Sequence, residues 1–208
     1  MTTVAATVTA FESAARSFAG LVHRIPADGW DGPGLGEWDM RSLVGHASRS
    51  LITVSTYLET SAEHEDVATP QDYYAGIADY MSSTNAEAIT ERGRQAGRDL
   101  GDDPAQTIDD LVERVLGELA PAAADPLVAV IGGLGIRLHT YLPTRTFELA
   151  VHSLDIARAA ALSFDLPDIV LDQATVLAAR IAVTTGRGSE VLMSLTGRRV
   201  LPPGFSVV

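Results

Sequence analysis

The sequence has no cysteine. That excludes a disulfide framework, a cysteine nucleophile and any thiolate-ligated metal site supplied by the chain itself. Positive charge is also scarce. The formal net charge is -12, and the densest basic runs are Arg92, Arg94 and Arg98, diluted by acidic neighbours, and the pair Arg198–Arg199. A chain this acidic repels phosphate backbones and anionic bilayers, so neither nucleic acid nor a membrane surface is an expected partner. Long apolar runs are missing too. No stretch reaches the roughly 18 uncharged apolar residues that a spanning helix needs. Met1–Ala10 lacks the basic region and apolar core of a secretion signal, and the expected location is the cytoplasm.

What is present fits a globular protein. Hydrophobic residues make up 46% and charged residues 20%, the usual balance for a soluble domain. A chain of 208 residues buries about 70% of its unfolded surface and needs no covalent staples. One domain over 1–208 is expected, with 186–208 as a C-terminal tail of short elements packing on it.

Helical periodicity dominates. Val8, Phe11, Ala15, Phe18, Leu21 and Val22 recur at helical spacing within Thr3–Ile25, and Pro26 ends that helix. Residues 26–37 (PADGWDGPGLGE) form a loop. Asp39 is placed to cap a second helix reaching Leu58, with Leu43, Ala47, Leu51, Val54 and Leu58 on its buried face. Gln71–Arg98 reads as a more polar helix, broken near Ser82. Asp103 and Pro104 open another to about Leu119, and 120–126 (APAAADP) break the chain again. Two β-prone runs flank Gly132–Gly133 within 127–142 and predict a small hairpin or extended connector. A helix from Thr140 or Pro143 to about Leu162 follows, then one from Ile169 to about Thr184. The fold class is therefore mostly all-α with short β elements near 127–142.

One helix carries unusual chemistry. Residues 143–162 read PTRTFELAVHSLDIARAAAL. At about 100° per residue, Arg145, Glu148, His152 and Asp155 share an arc of roughly 80°. Apolar Leu149, Ile156 and Val151 border that arc, whereas a solvated face is usually broader and lies opposite the apolar one. Glu148 and His152 are one turn apart, so a carboxylate and an imidazole can reach one ion at about 2.0–2.2 Å. His46, at the edge of the second helix's apolar face with Ser50 and Tyr57 on the same side, is the best candidate for a third ligand. Two histidines and one carboxylate leave a coordination position open, as catalytic sites do. Taken alone, however, a Glu–His pair at this spacing is more often a surface ion pair than part of a metal site, and a histidine placed like His46 is more often structural.

Two segments and the tail resemble a known family. GLGEWDMRSLVGHASRS (34–50) resembles the Trp-x-x-(Arg/Lys)-(Asp/Ser)-Leu-(Val/Leu)-x-His segment of the DinB-like superfamily. TRTFELAVHSLDIARAAAL (144–162) resembles the Arg-x-x-Glu-x-x-x-His-x-x-Asp helix of its mycothiol-dependent maleylpyruvate isomerase branch. LMSLTGRRVLPPGF (192–205) is similar to the Leu-Thr-Gly-Arg ending of members. The resemblance implies a four-helix bundle with a long crossover. It implies a divalent metal, usually zinc in this branch, on the residues aligned with His46, Glu148 and His152. It also implies mycothiol or a similar low-molecular-weight thiol as cofactor, held on the metal as thiolate. The chain has no cysteine to supply such a sulfur. Nickel, iron or manganese suit the same donors. The full isomerase has a second, C-terminal domain, for which this sequence leaves little room beyond the bundle. A thiol-dependent isomerase or S-transferase acting on a small electrophile is therefore the expectation.

Other residues carry two readings each. Arg145 can bind a carboxylate of substrate or thiol in a bidentate way, or pair with Glu148. Asp155 can fix the tautomer of a ligand histidine, or pair with a neighbouring helix. Tyr57 can line the pocket or belong to the core. Trp38 reads as a packing plug, His139 as a connector residue, and His23 and His64 as surface residues near helix ends. No G-x-S-x-G elbow or H-E-x-x-H motif occurs, and Gly132, Gly133 and Gly135 are not followed by the Gly-Lys-Ser/Thr of a phosphate loop. Two alternatives to the enzyme stand beside it: a non-catalytic metal- or small-ligand-binding bundle, with a homodimer open to either, and a helical protein holding no metal.

Overall fold

The computed structural model describes residues 4–83, 86–120 and 125–208, without the side chains of 78–83 and 86. Eight α-helices lie among them: α1 (Val4–Val22), α2 (Met40–Leu58), α3 (Pro70–Ser83), α4 (Ala86–Asp99), α5 (Pro104–Leu119), α6 (Leu138–Ala159), α7 (Asp168–Thr184) and α8 (Gly188–Leu195). Two short strands, β1 (Leu127–Ala129) and β2 (Gly135–Arg137), pair antiparallel with Val128 opposite Ile136. No helix among the described residues is long and apolar enough to cross a membrane.

Four helices close a ring. α1 packs on α6, α6 on α2, α2 on α5, and α5 back on α1, so α1 and α2 occupy one diagonal and α5 and α6 the other. The periodic residues meet at its centre. Phe11, Phe18 and Leu21 of α1, Leu43 and Leu51 of α2, Ile108 and Val115 of α5, and Leu142, Leu149 and Ile156 of α6 are all buried. Each such side chain stabilises the fold by about 1.5–3 kcal/mol relative to exposure. The chain between α2 and α5 is the long crossover. It carries α3, which packs on α6 and α7, and α4, which packs on the outside of α2. α4 approaches α2 to backbone contact, because a Cβ on Gly45 would stand 2.2 Å from the Gly97 nitrogen.

The predicted caps form. Asp39 accepts from the Ser42 N–H at 2.7 Å, and Asp103 from the Gln106 N–H at 3.1 Å. The break expected near Ser82 falls between α3 and α4, and the two residues joining them lie outside the described residues. So do 121–124 of the break expected over 120–126. Around Gly132 and Gly133 the hairpin turns through left-handed backbone, with φ of 73° and 78°, a region only glycine enters at no steric cost. Asp66 and Val67 donate to the Gly135 carbonyl at 2.8 and 3.1 Å, which ties the start of the crossover to the hairpin.

The helix expected from Thr140 or Pro143 begins earlier, at Leu138. Pro143 therefore sits in its second turn, where it removes one backbone hydrogen bond. Burial of Leu138, Tyr141 and Leu142 offsets that loss. Asp125 holds the new start: its Oδ1 accepts from the His139 N–H at 2.9 Å, and its Oδ2 lies 2.7 Å from His139 Nδ1. His139 is thus part of α6, not of the connector. His23 and His64 are exposed as expected, and His23 lies 2.8 Å from Asp109. In the tail, α8 packs on α7, Arg187 lies over the Phe205 ring at 4.1 Å, and Val207 touches the core.

Candidate functional site

The start of α2 is held from three directions. Asp39 caps it, and the Met40 and Arg41 N–H groups donate to the Gly32 and Trp30 carbonyls at 2.8 and 3.0 Å. These donors would otherwise lack helical partners. His46 follows nearly two turns later, and α2 faces α6 in the ring. As a result the His46 and His152 rings meet nearly at right angles (86°), with centroids 4.9 Å apart. On α6, Glu148 Oε2 lies 3.5 Å from His152 Nε2. The structure thus brings together all three residues singled out as metal ligands, across about a hundred positions of sequence.

The surrounding shell is polar and aromatic. The Tyr74 hydroxyl donates to Glu148 Oε1 at 2.9 Å, with the Thr144 carbonyl 3.2 Å away. Asp155 Oδ2 lies 3.5 Å from His152 Nδ1, and Asp155 Oδ1 accepts from Arg158 at 3.0 Å. His152 Nδ1 is buried and has no aligned hydrogen bond among the described residues. Arg145 donates from Nε to Thr144 Oγ1 at 3.1 Å, and its guanidinium lies 5.1 Å from the Tyr141 ring and 5.5 Å from the Tyr73 ring. No ion pair joins Arg145 to Glu148 or to any other carboxylate among the described residues. Tyr57 is partly buried and packs edge-on against Tyr141 at 5.5 Å. It belongs to the aromatic cluster behind Arg145.

Charge is distributed unevenly over these groups. Burial, reinforced by His152, lowers the His46 pKa to about 4, so this imidazole is neutral and one of its two ring nitrogens carries a lone pair. Burial works against ionisation of Glu148, but His152, Arg145 and Tyr74 outweigh it and hold the carboxyl below its ordinary 4.5. Burial likewise opposes a charge on His152, and Asp155 and Glu148 outweigh it, raising the imidazole above its ordinary 6.5. The cluster stays within reach of solvent: 25% of the Glu148 side chain and 13% of the His152 side chain are exposed.

These spacings bear on the metal that the resemblance implies. Two donors about 2.0–2.2 Å from one tetrahedral ion stand about 3.3–3.6 Å apart, and the centroids of two imidazoles on such an ion about 5 Å apart. The carboxylate–imidazole separation of 3.5 Å and the ring separation of 4.9 Å match both. The donors fit pair by pair, but the set of three is not closed. Among the described residues, no group of three or more His, Cys, Asp or Glu side chains stands ready to hold an ion. Glu148 is instead drawn to Tyr74.

The sequence matches the family model of the mycothiol maleylpyruvate isomerase N-terminal domain over residues 11–157. That span is more than two thirds of the chain and contains every residue of the cluster. The chain belongs to this family. It is a mycothiol-related, DinB-like protein. No curated protein and no solved structure matches it.

Reading the sequence missed four residues of this family member's site, Tyr141 beside Arg145 among them. Tyr73 and Tyr74 lie on α3, which reads as a polar helix; an adjacent aromatic pair within it was the available signal. Trp38, read as a packing plug, stacks on the His46 ring at 4.4 Å. Tyr74 makes a direct prediction. Glu148 is a depressed carboxyl, so its contribution to stability is present above about pH 4.5 and is lost as pH falls through its lowered value. Tyr74→Phe removes one of the groups that lower it. In the metal-free protein the carboxyl pKa is expected to rise, and acid unfolding to begin at higher pH. Carbon-13 NMR of the Glu148 carboxyl during an acid titration measures the first, and circular dichroism the second.

Proposed function

We propose that this protein is a metal-dependent enzyme of low-molecular-weight thiol chemistry, an isomerase or S-transferase that joins mycothiol or a similar thiol to a small electrophile. The observation that carries this reading is the meeting of His46 with the Glu148–His152 pair in a partly buried, solvent-reachable cluster. His46, Glu148 and His152 would hold the ion, with zinc the first candidate and nickel, iron and manganese suited to the same donors. When bound, a divalent ion supplies the positive charge that keeps a thiol ionised near neutral pH.

The chain's own residues would do the rest. Neutral His46 offers a lone pair, and ionised Glu148 offers negative charge. Asp155 faces the far nitrogen of His152 and would hold the tautomer that leaves Nε2 free. Arg145 is the cation available for an anion. Its guanidinium has no carboxylate partner among the described residues, and Tyr73 and Tyr141 hold it against their faces. It would bind a carboxylate of thiol or substrate and steady the negative charge that develops as sulfur gives its electron pair to the electrophilic carbon and that carbon's π pair moves onto its neighbouring atom. The chain has no cysteine, so the sulfur comes from outside. Such chemistry belongs in the cytoplasm, where thiols stay reduced.

Tag-free protein assayed with mycothiol against a panel of electrophiles, maleylpyruvate included, tests this. Turnover is expected to require both metal and thiol. Arg145→Lys is expected to keep the metal but to lose roughly 100-fold in kcat/KM, the scale of one lost charge-stabilising donor. That no three of these donors stand ready for an ion among the described residues favours one competing reading, a helical protein holding no metal. Freshly purified, tag-free protein that carries no metal and takes up no added zinc would select it.

A further inference from the structure

We propose that Trp38 is a positioning residue for His46, and that helix α4 sets the direction of this ring from outside the bundle. Ligand histidines are commonly oriented by a hydrogen bond from the nitrogen that faces away from the ion. Among the described residues, neither nitrogen of His46 makes a hydrogen bond. What orients the ring is packing. The Trp38 indole lies against it with centroids 4.4 Å apart and planes tilted by 31°, and the edge of His152 meets it from another side.

Trp38 is itself pinned. Its Nε1 donates to the Thr90 carbonyl of α4 at 2.9 Å. Its indole lies so close to Gly93 of α4 that a Cβ there would stand 2.6 Å from Cε2 and 2.7 Å from Nε1. Its backbone is held as well: the Gly34 N–H donates to the Trp38 carbonyl at 2.9 Å, and the Trp38 N–H to the Leu35 carbonyl at 3.0 Å. Four residues beyond Gly93, Gly97 meets α2 beside His46, where Gly45 leaves no room for a side chain. The bare face of α4 thus presses the indole onto the imidazole.

Two measurements on the full chain test this, and only the second rests on the metal reading. In metal-free protein, proton–carbon correlation NMR of the histidine rings, with His46 assigned through His46→Gln, should show His46 displaced by the indole ring current. Trp38→Leu should return those signals towards the positions of exposed histidines. Trp38→Phe should retain part of the displacement. Gly93→Ala, which keeps the indole but pushes it, should move them again. In the second measurement, zinc affinity by chelator competition should fall roughly 10- to 100-fold in Trp38→Leu, the usual cost of losing an outer partner of a ligand. Trp38→Phe should recover most of that loss. Unchanged His46 signals in both Trp38→Leu and Gly93→Ala, or unchanged zinc affinity in a folded Trp38→Leu protein, overturns the assignment. If the wild type itself binds no zinc, the metal reading fails separately, and the ring shifts still decide whether Trp38 orients His46.

Discussion

Replacing His152 with alanine is expected to weaken zinc binding by more than about 100-fold, beyond what loss of an outer partner costs, with the helical circular dichroism retained. His46→Ala should do the same from the opposite helix. His152 lies between Glu148 and Asp155, so its removal takes away one donor and the ring that links the two carboxylates. Only 13% of its side chain is exposed, and alanine leaves a partly polar space that water can fill, so the fold should survive. Asp155→Ala is expected to cost less, roughly 10-fold, because Asp155 would act through the far nitrogen. Metal analysis of freshly purified, tag-free protein, followed by chelator competition, gives all of these values. Full zinc occupancy in both histidine variants removes the metal assignment and the thiol chemistry with it.

Replacing Gly45 with alanine is expected to destabilise the protein by about 3 kcal/mol, the upper end of what overpacking costs. A Cβ there would lie 2.2 Å from the Gly97 nitrogen and 2.4 Å from the Ala96 carbonyl carbon. Both are backbone atoms, so no side-chain rotation relieves the contact, and α4 has to move away from α2. Alanine's better helix propensity returns at most about 1 kcal/mol, and the clash outweighs it. For a protein of this size the loss corresponds to roughly 6–12 °C in Tm. Gly20 in α1 is the control with the opposite sign. A Cβ there meets nothing within 4 Å, and Gly20→Ala should gain about 0.5–1 kcal/mol. Thermal and urea unfolding of the two variants measure both. A Gly45→Ala protein as stable as wild type would mean that α4 does not sit on α2 as described.

Much of the fold was legible because it is written in local patterns. Phe11, Ala15 and Phe18 mark one face of α1, and Leu43, Ala47 and Leu51 one face of α2, and all six are buried. Asp39 and Asp103 announce helix starts through side chains that reach N–H groups three residues on. The start of α6 was misplaced because Pro143 is a strong local stop signal. The cap that overrides it comes from Asp125, fourteen residues away in α6's own connector.

The candidate site divides along the same line. The alignment of Arg145, Glu148, His152 and Asp155 follows from the pitch of one helix and could be read from the sequence, as could the absence of any sulfur donor. The approach of His46, the hydroxyl of Tyr74 on Glu148, the rings of Tyr73 and Tyr141 around Arg145, and the indole on His46 could not. His46, Tyr73 and Tyr74 reach α6 from segments that the chain keeps far apart, while Tyr141 is four residues from Arg145 and Trp38 eight from His46, and the packing of α2 and α3 on α6 and of α4 on α2 decides which side chains meet. Helical periodicity records the face a residue lies on. It holds no record of the neighbour across that face, which depends on how closely two helices approach. In this protein that distance is decided by glycines at 45, 93 and 97.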